Sequence, residues 1–288
     1  MLRSLLFIPG NNPAMLQNAD IHSADAVILD LEDAVSPNEK DAARILVSRA
    51  IEYLGFNKEK IVVRINPIDT PYAKQDIEAV VPLRPKYIMP TKVCSAEYIK
   101  QASKIIAEAE IKNGIEENSI KIIALIETAE GIEQAFNIAR ADKRVEALFL
   151  GAEDLTSDMQ AVRSKAGDEI AYARGRIVMA ARSCGIDAID TPFTDVHDDE
   201  GLVQDALLAR RMGFSGKASI SPHHVAGINQ AFSPSIEEIN YAKAVIEAIE
   251  EGKRLGRGAV SLKGKMIDRP IVLRAEKLLL AAKELQLI

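Results

Sequence analysis

The sequence predicts an α/β protein, a closed (β/α)₈ TIM barrel with a C-terminal helical extension, and three observations predict it. Short, nearly continuous apolar runs recur through the chain, as strands buried on both faces require. Between them lie segments with apolar residues at three- and four-residue intervals, the period of an amphipathic helix. The alternation continues with no composition break or linker over a chain of 288 residues, and a barrel of roughly 250 residues fits within that length. An open doubly wound sheet is the alternative, and its dinucleotide-binding form is disfavoured because no Gly-x-Gly-x-x-Gly follows an early strand.

The apolar runs place strands at Leu5–Pro9, Ala26–Glu32, Ile61–Asn66, Tyr87–Pro90, Ile122–Ile126, Ala147–Gly151, Ala188–Thr191 and Lys217–Ser221. Helical periodicity places helices at Pro37–Tyr53, Ala96–Lys112, Ile132–Ala139, Glu169–Ser183 and Glu200–Met212. Ser36-Pro37-Asn38-Glu39 carries the signs of a helix start, a capping Ser before Pro with Glu at the third helical position, and Ser235-Ile236-Glu237-Glu238 repeats the capping box. Gly114, Gly185 and Gly213 fall where helices should stop. Past the eighth strand come a long helix, Ile236–Leu255, the glycine-containing Gly256-Arg257-Gly258, a polar stretch from Ser261 to Pro270, and a last helix from Ile271 to Leu285. The expected organisation is a catalytic barrel over residues 1–232 and an extension over 233–288. The extension reads equally as an arm or lid onto a neighbouring subunit and as a tail covering its own barrel.

Composition narrows the function. Nearly half the residues (48%) are apolar and 27% charged, the balance of a soluble globular protein. A net charge of −6 with no clustered positive face argues against nucleic acid or an anionic membrane as partner. The apolar run within Met1–Gly10 is too short for a secretory signal and ends in Pro-Gly, and no run approaches the ~20 residues of a membrane span. Cys94 and Cys184 stand far apart, as buried thiols of a cytoplasmic protein would. His22, His197, His223 and His224 show no zinc-type spacing, and the last two, after Pro222, read as solvated or phosphate-facing.

The carboxyl ends of barrel strands carry the active site in this architecture. Those ends are polar here while the strand interiors are apolar. The second strand finishes in Asp30-Leu31-Glu32-Asp33, the third gives Arg64 and Asn66, and Lys92 follows the fourth. Glu127 ends the fifth, Glu153 and Asp154 follow the sixth, Asp190 and Thr191 end the seventh, and Ser219, Ser221 and His223 accompany the eighth. Glu127 and Asp154 stand at the ends of successive strands and would share one edge of a parallel sheet. Hard carboxylate oxygens in that position suit Mg²⁺, which takes one or two protein carboxylates and keeps its other sites for water or substrate. The competing reading makes each acid an N-cap of the next helix. Asp30, Glu32 and Asp33 either ligate through water or pair with Arg64 and Lys92. The flat fork of Arg64 matches a substrate carboxylate, and equally matches Asp30 or Glu32. Lys92 reads as a charged orienter of substrate, with a Schiff-base nucleophile as the alternative.

These motifs carry a resemblance. Arg3-Ser4-Leu5-Leu6-Phe7-Ile8-Pro9-Gly10, Asp30-Leu31-Glu32-Asp33-Ala34-Val35, Arg64-Ile65-Asn66, Ile126-Glu127-Thr128-Ala129, Gly151-Ala152-Glu153-Asp154, Gly213-Phe214-Ser215-Gly216-Lys217 and Gly264-Lys265-Met266-Ile267-Asp268 occur in order across essentially the whole chain. Together they resemble the citrate lyase β subunits, citryl-thioester lyases within the wider HpcH/HpaI aldolase and malyl-CoA lyase family. The resemblance implies a Mg²⁺-dependent carbon–carbon lyase acting on a 3-hydroxyacyl thioester, citryl-CoA or a citryl acyl carrier protein, to give oxaloacetate and an acetyl thioester. A malyl-CoA or related hydroxyacyl-CoA lyase or thioesterase is the alternative. It implies Glu127 and Asp154 as metal ligands, Arg64 and Glu127 on the substrate with Asn66 and Lys92 beside them, and Asp268 as an acid/base delivered from an adjacent subunit of a trimer or hexamer. Citrate lyase α and γ subunits are implied as possible partners. The chain departs from the citrate lyase pattern at Leu155 and at Ser221-Pro222-His223, which leaves the acyl group and the thioester carrier open. From a different class, a structural subunit whose barrel has lost turnover is the remaining alternative, and the intact Arg64, Glu127, Asp154 and Asp268 argue against it.

Overall fold

The computed structural model describes residues 1–255, 260–262 and 264–288. Eight parallel strands close into a barrel in sequence order: β1 (Ser4–Pro9), β2 (Ala26–Asp30), β3 (Ile61–Ile65), β4 (Tyr87–Pro90), β5 (Lys121–Ile126), β6 (Val145–Leu150), β7 (Asp187–Asp190) and β8 (Gly216–Ser219). The closing pair is β1 with β8, where Leu5 stands opposite Ala218. All eight expected strands form, each within two residues of its expected ends.

Helices follow each strand: α1 (Pro13–Gln17), α2 (Lys40–Tyr53), α3 (Pro71–Val80), α4 (Ala96–Lys112), α5 (Ala129–Ala139), α6 (Ala152–Asp158), α7 (Ala171–Cys184), α8 (Asp199–Met212) and α9 (His224–Phe232). Gly185 and Gly213 take left-handed φ of +72° and +105° at the ends of α7 and α8, where a side chain would be strained. The segment after Ser36 begins differently from expectation. Residues Pro37–Glu39 form a 3₁₀ turn before α2, because the Ser36 hydroxyl donates to the Glu39 carboxylate (3.0 Å) instead of capping backbone N–H groups.

Strand alternation decides what faces the barrel axis. Leu5, Ala26, Ile28, Val62, Tyr87, Met89, Ile123, Leu125, Ala147, Phe149, Ile189 and Ala218 form one buried cluster, with Phe7 packed against it. They occupy alternate strand positions and fill the barrel. The intervening residues, among them Leu6, Val63, Ile88, Ala124, Leu148 and Ala188, are buried on the other strand face, toward the helices. Continuing the inward alternation one step past the apolar cluster reaches Asp30, Arg64, Glu127, Gly151, Thr191 and Ile220.

The chain divides into two compact units, residues 2–231 and residue 1 with 232–288. In the second, α10 (Ile236–Arg254) and α11 (Arg269–Glu284) pack around Ala242, Val245, Ile267 and Ala275. The capping box is present at Ser235: its hydroxyl accepts from Glu238 N (3.1 Å) and the Glu238 carboxylate accepts from Ser235 N (2.8 Å). Part of the polar stretch from Ser261 to Pro270 forms an antiparallel pair, β9 (Val260–Leu262) with β10 (Lys265–Ile267). The expected glycine-containing segment 256–258 lies outside the described residues.

Candidate active site

A cavity of about 460 Å³ opens at the carboxyl end of the barrel. Its floor is apolar, formed by Phe7, Leu125 and Phe149, and Asp30, Asp33, Arg64, Glu127, Glu153 and Asp154 supply its charge. Phe7 and Phe149 meet edge to face with ring centres 6.0 Å apart. The Arg64 guanidinium lies over the Phe7 ring at 5.0 Å, so the cation that the acids require also rests on the apolar floor.

Arg64 is the hub of the β2–β3 side. Its Nε and Nη2 donate to the two Asp30 oxygens at 2.7 and 2.6 Å, a bidentate pair, while Nη1 lies 3.2 Å from Glu32 and 3.5 Å from Asp33. Of the partners weighed from sequence, Asp30 takes the fork. Asp30 also accepts the N–H groups of Glu32 (2.8 Å) and Ala34 (3.2 Å), which turns the chain sharply after β2. Lys40 locks that turn from below by donating to the carbonyls of Leu31 and Glu32 at 2.9 and 2.7 Å. Burial pushes the Glu32 carboxyl up to about 7; Arg64 opposes the rise and Asp33 adds to it.

Glu127 projects from the end of β5. It does not cap the following helix: Thr128 is the N-cap of α5, its hydroxyl accepting from Gly131 N (3.1 Å). One Glu127 oxygen accepts the main-chain N–H of Lys92 (2.8 Å), and the other lies against Gly151. A Cβ at position 151 would fall 2.8 Å from Glu127 Cβ and 2.9 Å from Oε2, so glycine is what admits the carboxylate to this place. Burial pushes the Glu127 carboxyl up to about 8; the Lys92 N–H and Arg64 act against this, and Asp154 and Glu32 reinforce it. Asp154 sits in the first turn of α6, whose N-cap is Gly151, and does not cap it. Among the described residues its carboxylate takes no hydrogen bond or ion pair.

Two carboxylates thus face one cavity, that of Glu127 with its pKa raised chiefly by burial and that of Asp154 unpartnered among the described residues. This donor set fits a divalent cation that takes one or two carboxylates and completes its shell with water or ligand oxygens. It does not fit a closed cage, since among the described residues no three His, Cys, Asp or Glu side chains converge for a metal.

Lys92 follows β4 with φ +55°, and its ammonium lies 3.8 Å from Glu32. Burial works against its charged form, but Glu32, Asp154, Asp33 and Glu127 outweigh that and raise its pKa. A Schiff-base nucleophile requires the reverse shift. Asn66 is turned into the structure: its amide donates to Leu31 O (3.0 Å) and Asp76 (2.7 Å), bracing the loop after β3. Asp76 itself stands on the buried face of α3 and receives Arg44 at 2.8 Å.

Two strand-end expectations are corrected. Asp190 has the opposite alternation to the cavity residues and points to the helices, where it receives Arg174 (2.8 Å) and Lys217 (2.6 Å); Asp205 completes this buried set of two cations and two anions. Of the paired histidines, His223 is exposed and 2.9 Å from Asp199, but His224 is wholly buried, its pKa lowered by burial and by His223. Asp268 belongs to the second unit, where it is exposed and caps α11 by accepting from Ile271 N (3.1 Å). Sequence reasoning passed over Phe7 and Gly151. The inward alternation of Phe7 and the position of Gly151 directly before Ala152-Glu153-Asp154 were the available signals.

Comparison with known proteins agrees with this fold. The HpcH/HpaI aldolase/citrate lyase family model matches residues 3–222, and the chain belongs to that family. The citrate lyase subunit beta of Leuconostoc mesenteroides subsp. cremoris is 42% identical over 286 residues, covering 99% of this chain and 95% of the relative. The mitochondrial citramalyl-CoA lyase of Rattus norvegicus is 30% identical over 294 residues, covering 99% and 87%. Among solved structures, the Mycobacterium tuberculosis CitE protein in complex with magnesium, acetoacetate and coenzyme A superposes with a TM-score of 0.81 at 31% identity, covering 98% of each chain. A citrate lyase beta subunit from M. tuberculosis, complexed with oxaloacetate and magnesium, gives a TM-score of 0.69 at 31% identity over 80% of this chain and 96% of that one. The protein is accordingly a carbon–carbon lyase with a TIM-barrel fold. No described helix is long and apolar enough to cross a membrane.

Proposed function

We propose that this protein is a Mg²⁺-dependent lyase that cleaves a citryl thioester, carried on CoA or an acyl carrier protein, to oxaloacetate and an acetyl thioester. The observation that carries the reading is the pairing of Glu127 and Asp154 at the rim of the barrel cavity, on a chain 42% identical to a citrate lyase subunit beta. Glu127 and Asp154 would hold Mg²⁺, which when bound acidifies the substrate hydroxyl and neutralises charge as that group becomes a carbonyl.

The chain's own groups account for the rest. Arg64, fixed by Asp30, presents positive charge at the cavity wall and orients the carboxylate of the departing oxo acid. The ammonium of Lys92 stays charged and adds to that attraction. Phe7, Leu125 and Phe149 exclude water from the floor, which strengthens these interactions. As the hydroxyl gives up its proton, the electron pair of the breaking C–C bond passes into the thioester, and the resulting enolate is protonated at carbon. Asp268 of a neighbouring copy is the proposed acid/base, consistent with its exposed position. The residue range 233–288 is proposed as the part that packs on that neighbour, in a homotrimer or homohexamer, with citrate lyase α and γ subunits as further partners.

A second reading is favoured by one feature. Among the described residues lining the cavity Arg64 is the one cation, and the remaining walls include Pro9, Met15, Pro192 and Ile220. A hydroxyacyl group with a single carboxylate, such as malyl or citramalyl, suits that lining. Offering citryl-CoA, malyl-CoA and citramalyl-CoA to purified protein with Mg²⁺, and assaying oxaloacetate, glyoxylate and pyruvate separately, decides between them. Oxaloacetate as the main product supports the citryl reading; glyoxylate or pyruvate with no oxaloacetate overturns it.

A further inference from the structure

We propose that the main chain of Lys92, braced by the hydroxyl of Tyr98, is the device that positions Glu127. The inference rests on the reading of Glu127 as a cation ligand and adds the residues that aim it.

Lys92 is held in the left-handed region, φ +55°, which L side chains rarely adopt, and this turn directs its N–H to Glu127 at 2.8 Å. Both flanking residues are tied down. The Thr91 hydroxyl donates to Ile65 O on β3 (3.3 Å), and Val93 N–H donates to Leu125 O on β5 (3.1 Å). Tyr98, in the first turn of α4, supplies the brace: its hydroxyl donates to Thr91 O (2.7 Å) and accepts Ile68 N–H (2.7 Å). One phenol therefore joins the loop after β3, the turn after β4 and the helix that follows. The Lys92 side chain, in contrast, is close to half exposed (46%), and its ammonium lies 3.8 Å from Glu32. The part of Lys92 that touches Glu127 is its N–H.

Two substitutions separate backbone from side chain. Lys92→Gly removes the ammonium but keeps the N–H and favours a positive φ, whereas Tyr98→Phe keeps the fold's apolar contacts and removes the brace. The measurements are hydrogen–deuterium exchange of the Lys92 amide, resolved to single residues by electron-transfer fragmentation, and Mn²⁺ affinity by electron paramagnetic resonance. Tyr98→Phe should speed exchange of that amide and weaken Mn²⁺ binding, each by about tenfold or more, as loss of a supporting partner of a metal ligand does. Lys92→Gly should not weaken Mn²⁺ binding, because the donor and its backbone conformation survive while a positive charge near Glu127 and Asp154 is removed. Unchanged amide exchange in Tyr98→Phe overturns the proposal. So does a Lys92→Gly variant that loses Mn²⁺ affinity as far as Tyr98→Phe does, since the side chain would then be the effective part. Wild-type protein that binds no Mn²⁺ overturns the cation reading, and the positioning device then stands or falls on the amide exchange alone.

Discussion

Substituting Gly151 by Ala perturbs Glu127 without replacing any ionisable group. The added Cβ would stand 2.8 Å from Glu127 Cβ, 2.9 Å from its Oε2 and 3.1 Å from Leu125 Cδ1. Restoring a carbon–carbon separation of about 3.5 Å requires roughly 0.7 Å of movement. Leu125 is packed in the barrel interior, and Glu127 is tethered to Lys92 N–H, so neither yields freely. Overpacking of this kind costs about 1–3 kcal/mol, which in a domain of this size lowers the thermal midpoint by roughly 2–10 °C. The part of the clash relieved by moving the carboxylate displaces the proposed ligand, and a misplacement approaching 1 Å costs on the order of 10–100-fold in rate. Carbon–carbon cleavage of citryl-CoA by Gly151→Ala, followed alongside thermal unfolding, measures both. A variant with wild-type kcat and an unchanged midpoint would refute the claim that Glu127 is held against this glycine.

Other consequences are equally direct. Glu127 and Glu32 are raised from 4.5 to about 8 and about 7, so the folded state binds more protons than the unfolded chain above pH 4.5, and stability falls as pH rises from there to about 8. Glu127→Gln should flatten that slope and raise the midpoint at pH 8, and Mg²⁺ should stabilise the wild type at pH 8 far more than this variant; a pH profile identical in both proteins contradicts the assignment. Asp30→Asn removes the bidentate partner of a buried guanidinium and should destabilise by about 3 kcal/mol, the low end for a broken buried pair because Glu32 and Asp33 remain beside Arg64. An unfolding free energy from denaturant titration lowered by less than about a tenth of that amount would show that the pair contributes little.

The barrel was legible because its strands are buried on both faces and therefore read as unbroken apolar runs, such as Ile122–Ile126 and Ala147–Leu150. Helices with a mixed buried face were not. In α3 the buried positions Ala73, Asp76, Ile77 and Val80 keep helical spacing, but the acid among them breaks the apolar stripe. Its burial is compensated by Arg44 and Asn66, which come from other elements and leave no local mark. Helices α1 and α6 are too short to show a period at all. At the site, the strand ends announced the acids, and alternation separates those that face the cavity. Counting by twos from Leu125 and Phe149 reaches Glu127 and Gly151, whereas Asp190 follows the inward Ile189 by one and so turns to Arg174 and Lys217. The partner of Arg64 was open in the sequence because Asp30 and Glu32 both lie near; pairing of β2 with β3, which sets Asp30 opposite Arg64, decided it. The left-handed turn at Lys92 carries no sequence signal, since lysine is not a residue that favours that conformation.

The most direct test of the account is oxaloacetate release from citryl-CoA as Mg²⁺ is titrated into metal-stripped protein, with wild type and Glu127→Gln measured in parallel. The account predicts no release without the ion, saturable activation in the wild type, and a loss of about 10²-fold or more in the variant at every Mg²⁺ concentration. Cleavage that persists in the metal-stripped wild type, or a Glu127→Gln variant as active as its parent, would contradict it.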